Sequence, residues 1–276
     1  MNTTSFVPEP PSRATLLADV PKAAKELMSL SHYKWRRQLQ RVPEGDGHPI
    51  VTVPGFGGAD GSMASLRRFL KRAGYDAHPW ELGRNLVTQR VTTMDEILEF
   101  CAMREGELAR RVEQIADRTG EKVSLIGWSM GGVYCNSLAQ THPELVRQVV
   151  TLGAPVGDPR GTSTWNILKK MNRSEVPEEL QNVDGWLHRK NSQGERKVRT
   201  TILYSPNDGA VSRSAAVIEN DDLVENIEVD SSHVGFSHNP LVYWVIADRL
   251  SQDPYAWQHF DLSMQPRKIQ EHFNLL

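Results

Sequence analysis

One serine in this chain stands where a serine can become a nucleophile. The run Val123-Ser124-Leu125-Ile126 leads directly into Gly127-Trp128-Ser129-Met130-Gly131-Gly132, and a helix-forming stretch follows. GxSxG between a strand and a helix is the pattern of a nucleophile elbow. So tight a turn needs neighbours without a Cβ atom, which Gly127 and Gly131 supply. The helix N-terminus behind Ser129 favours negative charge developing there. A hydroxyl is a poor nucleophile at neutral pH, so it needs a base, and the base needs an orienting carboxylate. Asp208 lies in Tyr204-Ser205-Pro206-Asn207-Asp208-Gly209, directly after a strand. An ordinary Asp-Gly turn is the plainer alternative for it. Asp158, Asp221 and Asp222 compete, but the first precedes an expected insertion and the other two come before a strand rather than after one. His233, in Val229-Asp230-Ser231-Ser232-His233-Val234-Gly235, follows the last expected strand. His238 is its rival and reads as a polar residue beside a helix cap. Ser129, Asp208 and His233 run in the chain order that accompanies this elbow.

Acyl transfer also needs donors for an oxyanion. Backbone N–H groups from the residue after the nucleophile and from an earlier strand's loop ordinarily supply them. The loop Val53-Pro54-Gly55-Phe56-Gly57-Gly58 fits, which makes the amides of Phe56 and Met130 the candidate donors. A flexible glycine turn is the alternative.

These residues need a scaffold, and the patterning supplies one. Ile50-Val51-Thr52-Val53 reads as a strand buried on both faces. Further strands are expected at 123–126, 149–152, 198–204 and 227–229. Ser62 can cap a helix with Leu66, Phe69, Leu70 and Ala73 on one side and Gly74 at its end. A long helix is expected over 93–118, with Ile97, Cys101, Leu108, Val112 and Ile115 on one stripe, Gly106 as its weak point and Gly120 beyond its end. Helices at 130–140 and after Asn239-Pro240 complete the alternation. Such repetition specifies an α/β fold: a mostly parallel central sheet with helices on both faces, its functional loops at the carboxyl ends of the strands. Residues 157–197 are too long for an ordinary connection and read as an inserted helical cap. Their apolar pieces carry Trp165, Leu168 and Met171, then Leu180, Val183, Trp186 and Leu187. Trp165, Met171 and Trp186, with Trp128 of the elbow, are the candidate substrate-binding side chains.

The pieces VPGFGG at 53–58, GWSMGG at 127–132, LGAPVG at 152–157, YSPNDG at 204–209 and SSHVGFSHNP at 231–240 together resemble an α/β-hydrolase of the lipase and carboxylesterase type over about residues 48–260. The run from Gly74-Tyr75 through Trp80-Glu81-Leu82-Gly83-Arg84-Asn85 is similar to small bacterial esterase-like members. The resemblance implies Ser129 as nucleophile, His233 as base and Asp208 as its orienter. Many relatives have His-Gly in the oxyanion loop where this chain has Pro54-Gly55.

Composition bounds the rest. The chain has 276 residues, 39% of them hydrophobic and 24% charged, enough for a sizeable core. Lys plus Arg is 32 against 34 acids, a net charge of −2 that leaves no basic footprint for nucleic acid. The two cysteines, Cys101 and Cys135, exclude a disulfide scaffold. No HExxH or CxxC appears, so no metal and no cofactor is expected. Neither a secretory leader nor a transmembrane run is read, and a cytoplasmic protein is expected. Residues 1–47 are expected to form an N-terminal arm and helix, 48–260 the main domain, and 261–276 a C-terminal tail. Pro8, Pro10, Pro11 and Pro21 make the first twenty or so residues read as irregular. The weakly amphipathic helix over 22–41 carries Lys22, Lys25, Lys34, Arg36, Arg37 and Arg41 against one acid, Glu26. Its face reads as solvated rather than as a surface for anionic lipid or a partner. The expected activity is hydrolysis of a small-molecule carboxylic ester with an apolar acyl or aryl group. The alternatives are an acyltransferase with the same triad and a non-catalytic ligand-binding protein of the same fold. Oligomeric state is not readable.

Overall fold

The computed structural model describes residues 9–86, 94–163, 196–253 and 256–273. Its centre is a sheet of β1 (Pro49–Val53), β2 (Asp76–Pro79), β3 (Val123–Trp128), β4 (Val146–Leu152), β5 (Arg199–Tyr204) and β6 (Val224–Glu228), in the spatial order β2-β1-β3-β4-β5-β6. Every pairing among them is parallel. The inner strands are buried over almost their whole length because both faces are covered. Alternate residues divide between the faces. Ile50, Ile126, Val150 and Leu203 pack with α3 (Ala64–Arg72), α7 (Pro240–Leu250) and Ile269 of α8 (Arg267–Phe273). Val51, Val53, Leu125 and Val149 pack with α4 (Met94–Thr119) and α5 (Met130–Thr141). Each such fully buried aliphatic side chain contributes about 1.5–3 kcal/mol. Cys101 in α4 and Cys135 in α5 form no disulfide.

The strand order places the site. The chain leaves β1 for β2 on one side, then crosses to β3 on the other. The loops after β1 and β3 therefore diverge and leave a crevice at the carboxyl edge, a topological switch point.

Several elements depart from expectation. β2 was not foreseen: Asp-Ala-His-Pro is short and polar, and it survives because it pairs only along β1 at the sheet's edge. Ser62 does not cap α3; its hydroxyl bonds the Ala59 carbonyl within a 3-10 turn over Asp60–Met63. Gly106 does not interrupt α4. The supposed tail holds α8, with Trp35 stacked on His272 and Ile269 in the core. The N-terminal region is helical from much earlier than read. Ser12 caps α1 (Arg13–Ser31), which runs through Pro21 and is followed by α2 (Tyr33–Leu39). Its outer side is a mixed one, with Leu17, Val20 and Met28 exposed beside Arg13 and Lys25. Of the expected cap, residues 164–195 lie outside the described residues. Its described start is tied to the β5 side, where Thr162 bridges Val211 next to the four-residue helix α6 (Arg213–Ala216). No helix among the described residues is long and apolar enough to cross a membrane.

Candidate active site

Ser129 follows β3 directly and is the N-cap of α5, at φ 53° and ψ −125°. It is one of two non-glycine residues with positive φ among those described, a conformation that stores about 1–3 kcal/mol of strain. The turn is this tight because the chain has no room. A Cβ on Gly127 would lie 2.4 Å from Gly132 Cα, and one on Gly131 would lie 2.4 Å from the Val53 carbonyl oxygen. The Ser129 N–H donates to the Leu152 carbonyl at 2.9 Å, pinning the elbow to β4.

His233 meets Ser129 from the loop after β6. Its Nε2 is 3.0 Å from Ser129 Oγ, and its Nδ1 is 2.9 Å from Asp208 Oδ2. Asp208 lies in the loop after β5 with its side chain 1% exposed. Its other oxygen, Oδ1, accepts from the backbone N–H groups of Ala210 at 2.7 Å and Val211 at 2.8 Å. One face of the carboxylate is thus committed to the chain, leaving the other for the imidazole. Burial opposes a charge on the His233 ring. The neighbouring Asp208 carboxylate, through field and hydrogen bond, and the charge of Asp19 outweigh it and hold the imidazole above its ordinary value.

The rivals lie elsewhere. His238 Nε2 faces the Ala23 carbonyl of α1 at 3.2 Å. Asp158 is taken by Arg160, and Asp221 accepts from the Leu223 amide. Trp128 donates from its indole nitrogen to the His233 carbonyl at 2.9 Å, a contact that holds the His233 backbone. Trp165, Met171 and Trp186 lie outside the described residues.

The loop after β1 closes the crevice. A Cβ on Gly55 would lie 2.9 Å from Ser129 Cβ, so backbone alone fits there. The Phe56 amide is the next donor along this loop. Met130 opens α5, where the first amides have no intrahelical acceptor. Asn85, fully buried, braces the loop: its Nδ2 donates to the Pro54 carbonyl at 3.0 Å, and its backbone carbonyl accepts from the Gly57 N–H at 2.6 Å. Its Oδ1 in turn accepts from the Tyr134 hydroxyl at 3.2 Å.

A second Ser-His-Asp series sits at the opposite, amino edge of the sheet. His48 Nε2 is 2.8 Å from Ser124 Oγ, and its Nδ1 bonds Asp46. Ser124 is inside β3 and both His48 and Ser124 are wholly buried, so no substrate carbonyl can approach.

The sequence matches the alpha/beta hydrolase fold family over residues 24–237. The chain belongs to the alpha/beta hydrolase fold family. Solved structures agree on its fold. Bacillus licheniformis lipase BlEst2 in its mature form is 19% identical, with a TM-score of 0.55 over 77% of this chain and 95% of that one. Aspergillus fumigatus lipase B is 17% identical, with a TM-score of 0.52, and the match covers 76% of this chain and 54% of that longer one. Thermus thermophilus TT1662 is 13% identical, with a TM-score of 0.53 over 75% of this chain and 89% of that one. No curated protein matches the chain in sequence.

Sequence reasoning passed over Asp19 and Glu26 of α1 and the bracing role of Asn85. Glu26 left a trace as the lone acid in a basic stretch, and Asn85 as the end of the Trp80–Asn85 run. Asp19 left none, because the prolines around it read as irregular chain.

Proposed function

We propose that this α/β-hydrolase cleaves carboxylic esters through an acyl-Ser129 intermediate. The single observation carrying the reading is the His233 ring, within bonding range of Ser129 Oγ and Asp208 Oδ2 at once. Ser129 Oγ attacks the ester carbonyl carbon while His233 Nε2 takes its proton. The oxyanion faces the Phe56 and Met130 amides, each worth about 3 kcal/mol in the transition state. The imidazolium then protonates the leaving alkoxide, and an alcohol departs. A water deprotonated by the same nitrogen attacks the acyl carbon and releases the acid and the free serine. Asp208 holds the ring with its proton on Nδ1 and stabilises the charged form.

The exposed side chains of Phe56 and Val234, next to the donor loop and the base, favour an apolar acyl or aryl group. Trp165, Met171 and Trp186 are proposed to extend that surface. Two of the similar structures are called lipases, and the reading agrees with their names. A fluorophosphonate probe should label Ser129, and p-nitrophenyl esters from acetate to palmitate should be turned over by wild type and not by Ser129→Ala. Absence of both label and turnover in folded protein would overturn the reading. Hydrolysis without added alcohol separates it from acyl transfer to an alcohol.

A further inference from the structure

The triad loops after β5 and β6 are held by a helix that precedes the whole sheet in the chain. α1 turns its two carboxylates inward. Asp19, 5% exposed, accepts through Oδ1 from the His233 N–H at 2.6 Å and from the Gly209 N–H at 3.0 Å. Its Oδ2 accepts from the Val234 N–H at 3.1 Å. One carboxylate therefore grips the backbone of the base itself and of the residue after Asp208. Two turns on, Glu26 accepts from the Ser232 N–H at 2.9 Å and from the Ser232 hydroxyl at 2.5 Å. Between them Lys22 pairs with Asp230. Burying two carboxylates is costly, and here backbone donors offset it. These donors lie on the loops whose separation sets the Ser129–His233–Asp208 geometry.

We infer that Asp19 is a positioning residue for this reaction: its carboxylate bridges the Asp208 and His233 loops and sets the imidazole in line with Ser129. The inference rests on the acyl-serine reading and makes α1 part of the catalytic unit. Its negative charge also adds to the field that favours the protonated ring.

The test uses the full chain with active sites counted by fluorophosphonate uptake at Ser129. Asp19→Asn keeps the volume but loses the charge and places an N–H₂ against N–H donors. The expected result is kcat per labelled site lower by about 10- to 100-fold, the scale of a base misplaced by up to an ångström. KM should change little, and the acid limb of the kcat profile should move to lower pH. Unchanged kcat per site with an unmoved acid limb overturns the inference, even if the variant melts earlier, because that is a purely structural role. Should Asp19→Asn not fold, amide exchange in the wild type decides. The Gly209, His233 and Val234 N–H groups should open as one unit, with protection agreeing to within about tenfold; independent, fast exchange at these three overturns the inference. Wild type that takes no label sinks the acyl-serine reading and this inference together, whereas labelled wild type with an unaltered variant sinks only the role of Asp19.

Discussion

Replacing Asp208 with Asn is the sharpest probe of the proposed chemistry, because the structure dictates how the amide must sit. The Ala210 and Val211 N–H groups point at Oδ1 from 2.7 and 2.8 Å, and both can only donate. The Asn oxygen therefore keeps that place. Turning the amide over would leave two buried donors facing an N–H₂, at about 1–3 kcal/mol for each unsatisfied group. The Asn nitrogen then stands where Oδ2 stood, 2.9 Å from His233 Nδ1, and donates to it. The ring proton is driven to Nε2, which faces Ser129 Oγ at 3.0 Å. That nitrogen can no longer accept the serine proton. A triad held in the wrong tautomer loses about 10⁴ in kcat, or about 5 kcal/mol of transition-state stabilisation.

The assay is p-nitrophenyl ester turnover by Asp208→Asn, with active sites counted by slow fluorophosphonate uptake and melting followed by circular dichroism. Melting should shift little, since both amides keep their acceptor. Binding should persist, so the loss should appear in kcat. A variant retaining more than about a tenth of wild-type kcat with unaltered melting would refute the hydrogen-bond pattern on which the argument stands.

Other consequences follow from the same contacts. His233 acts as a base only when neutral, and its pKa is raised, so kcat/KM should fall as pH drops through a value above the ordinary imidazole figure of about 6.5; an acid limb below that figure contradicts the assigned field. Asn85→Leu strands the Pro54 carbonyl, at about 1–3 kcal/mol, and removes one partner of the Tyr134 hydroxyl. It should lower both the melting temperature and kcat, as read by calorimetry and ester turnover. Ser129→Gly relieves the positive φ and should abolish turnover while raising stability by about 1 kcal/mol in urea unfolding. A less stable glycine variant would mean that the elbow is not strained.

How much of this was legible follows from which interactions are local. The inner strands declared themselves because β-branched runs between turn residues have few other solutions, and Gly127 and Gly131 marked the elbow through a purely local constraint. Asp208 and His233 could be placed by their position after strands, but their convergence depends on sheet order, which periodicity does not encode. β2 escaped because an edge strand need not be apolar. Asp19 and Glu26 escaped for a different reason. Their partners lie some two hundred residues away and are mainly backbone amides, which have no sequence signature at all. The candidate cap residues Trp165, Met171 and Trp186 lie beyond the described residues.

The two Ser-His-Asp series show why residue types alone do not make this chemistry. Asp46 is half-exposed and shared with Arg147, so its attraction for His48 is screened by solvent, and the Arg147 charge itself opposes a proton on the ring. Burial then dominates and pushes the His48 ring below its ordinary value, while hydrogen bonds, His48's first among them, more than offset burial at Asp46 and hold its carboxyl down at about 2. Asp208 differs: its side chain is 1% exposed, Oδ1 is filled by neutral amides and Oδ2 faces His233, where the charge of Asp19 adds to its field. The two imidazoles, each between a serine and an aspartate, are thus shifted in opposite directions by their surroundings. The series at the amino edge closes Ser124 inside β3, wholly buried at a shift in the pairing with β4. At the carboxyl edge Ser129 sits at the strained turn between β3 and α5, with a helix N-terminus behind it and the His233 ring, of raised pKa, 3.0 Å from its Oγ. The elbow supplies the first two of these features and the loop after β6 the third, while the crossover between β1 and β3 opens the crevice in which they meet.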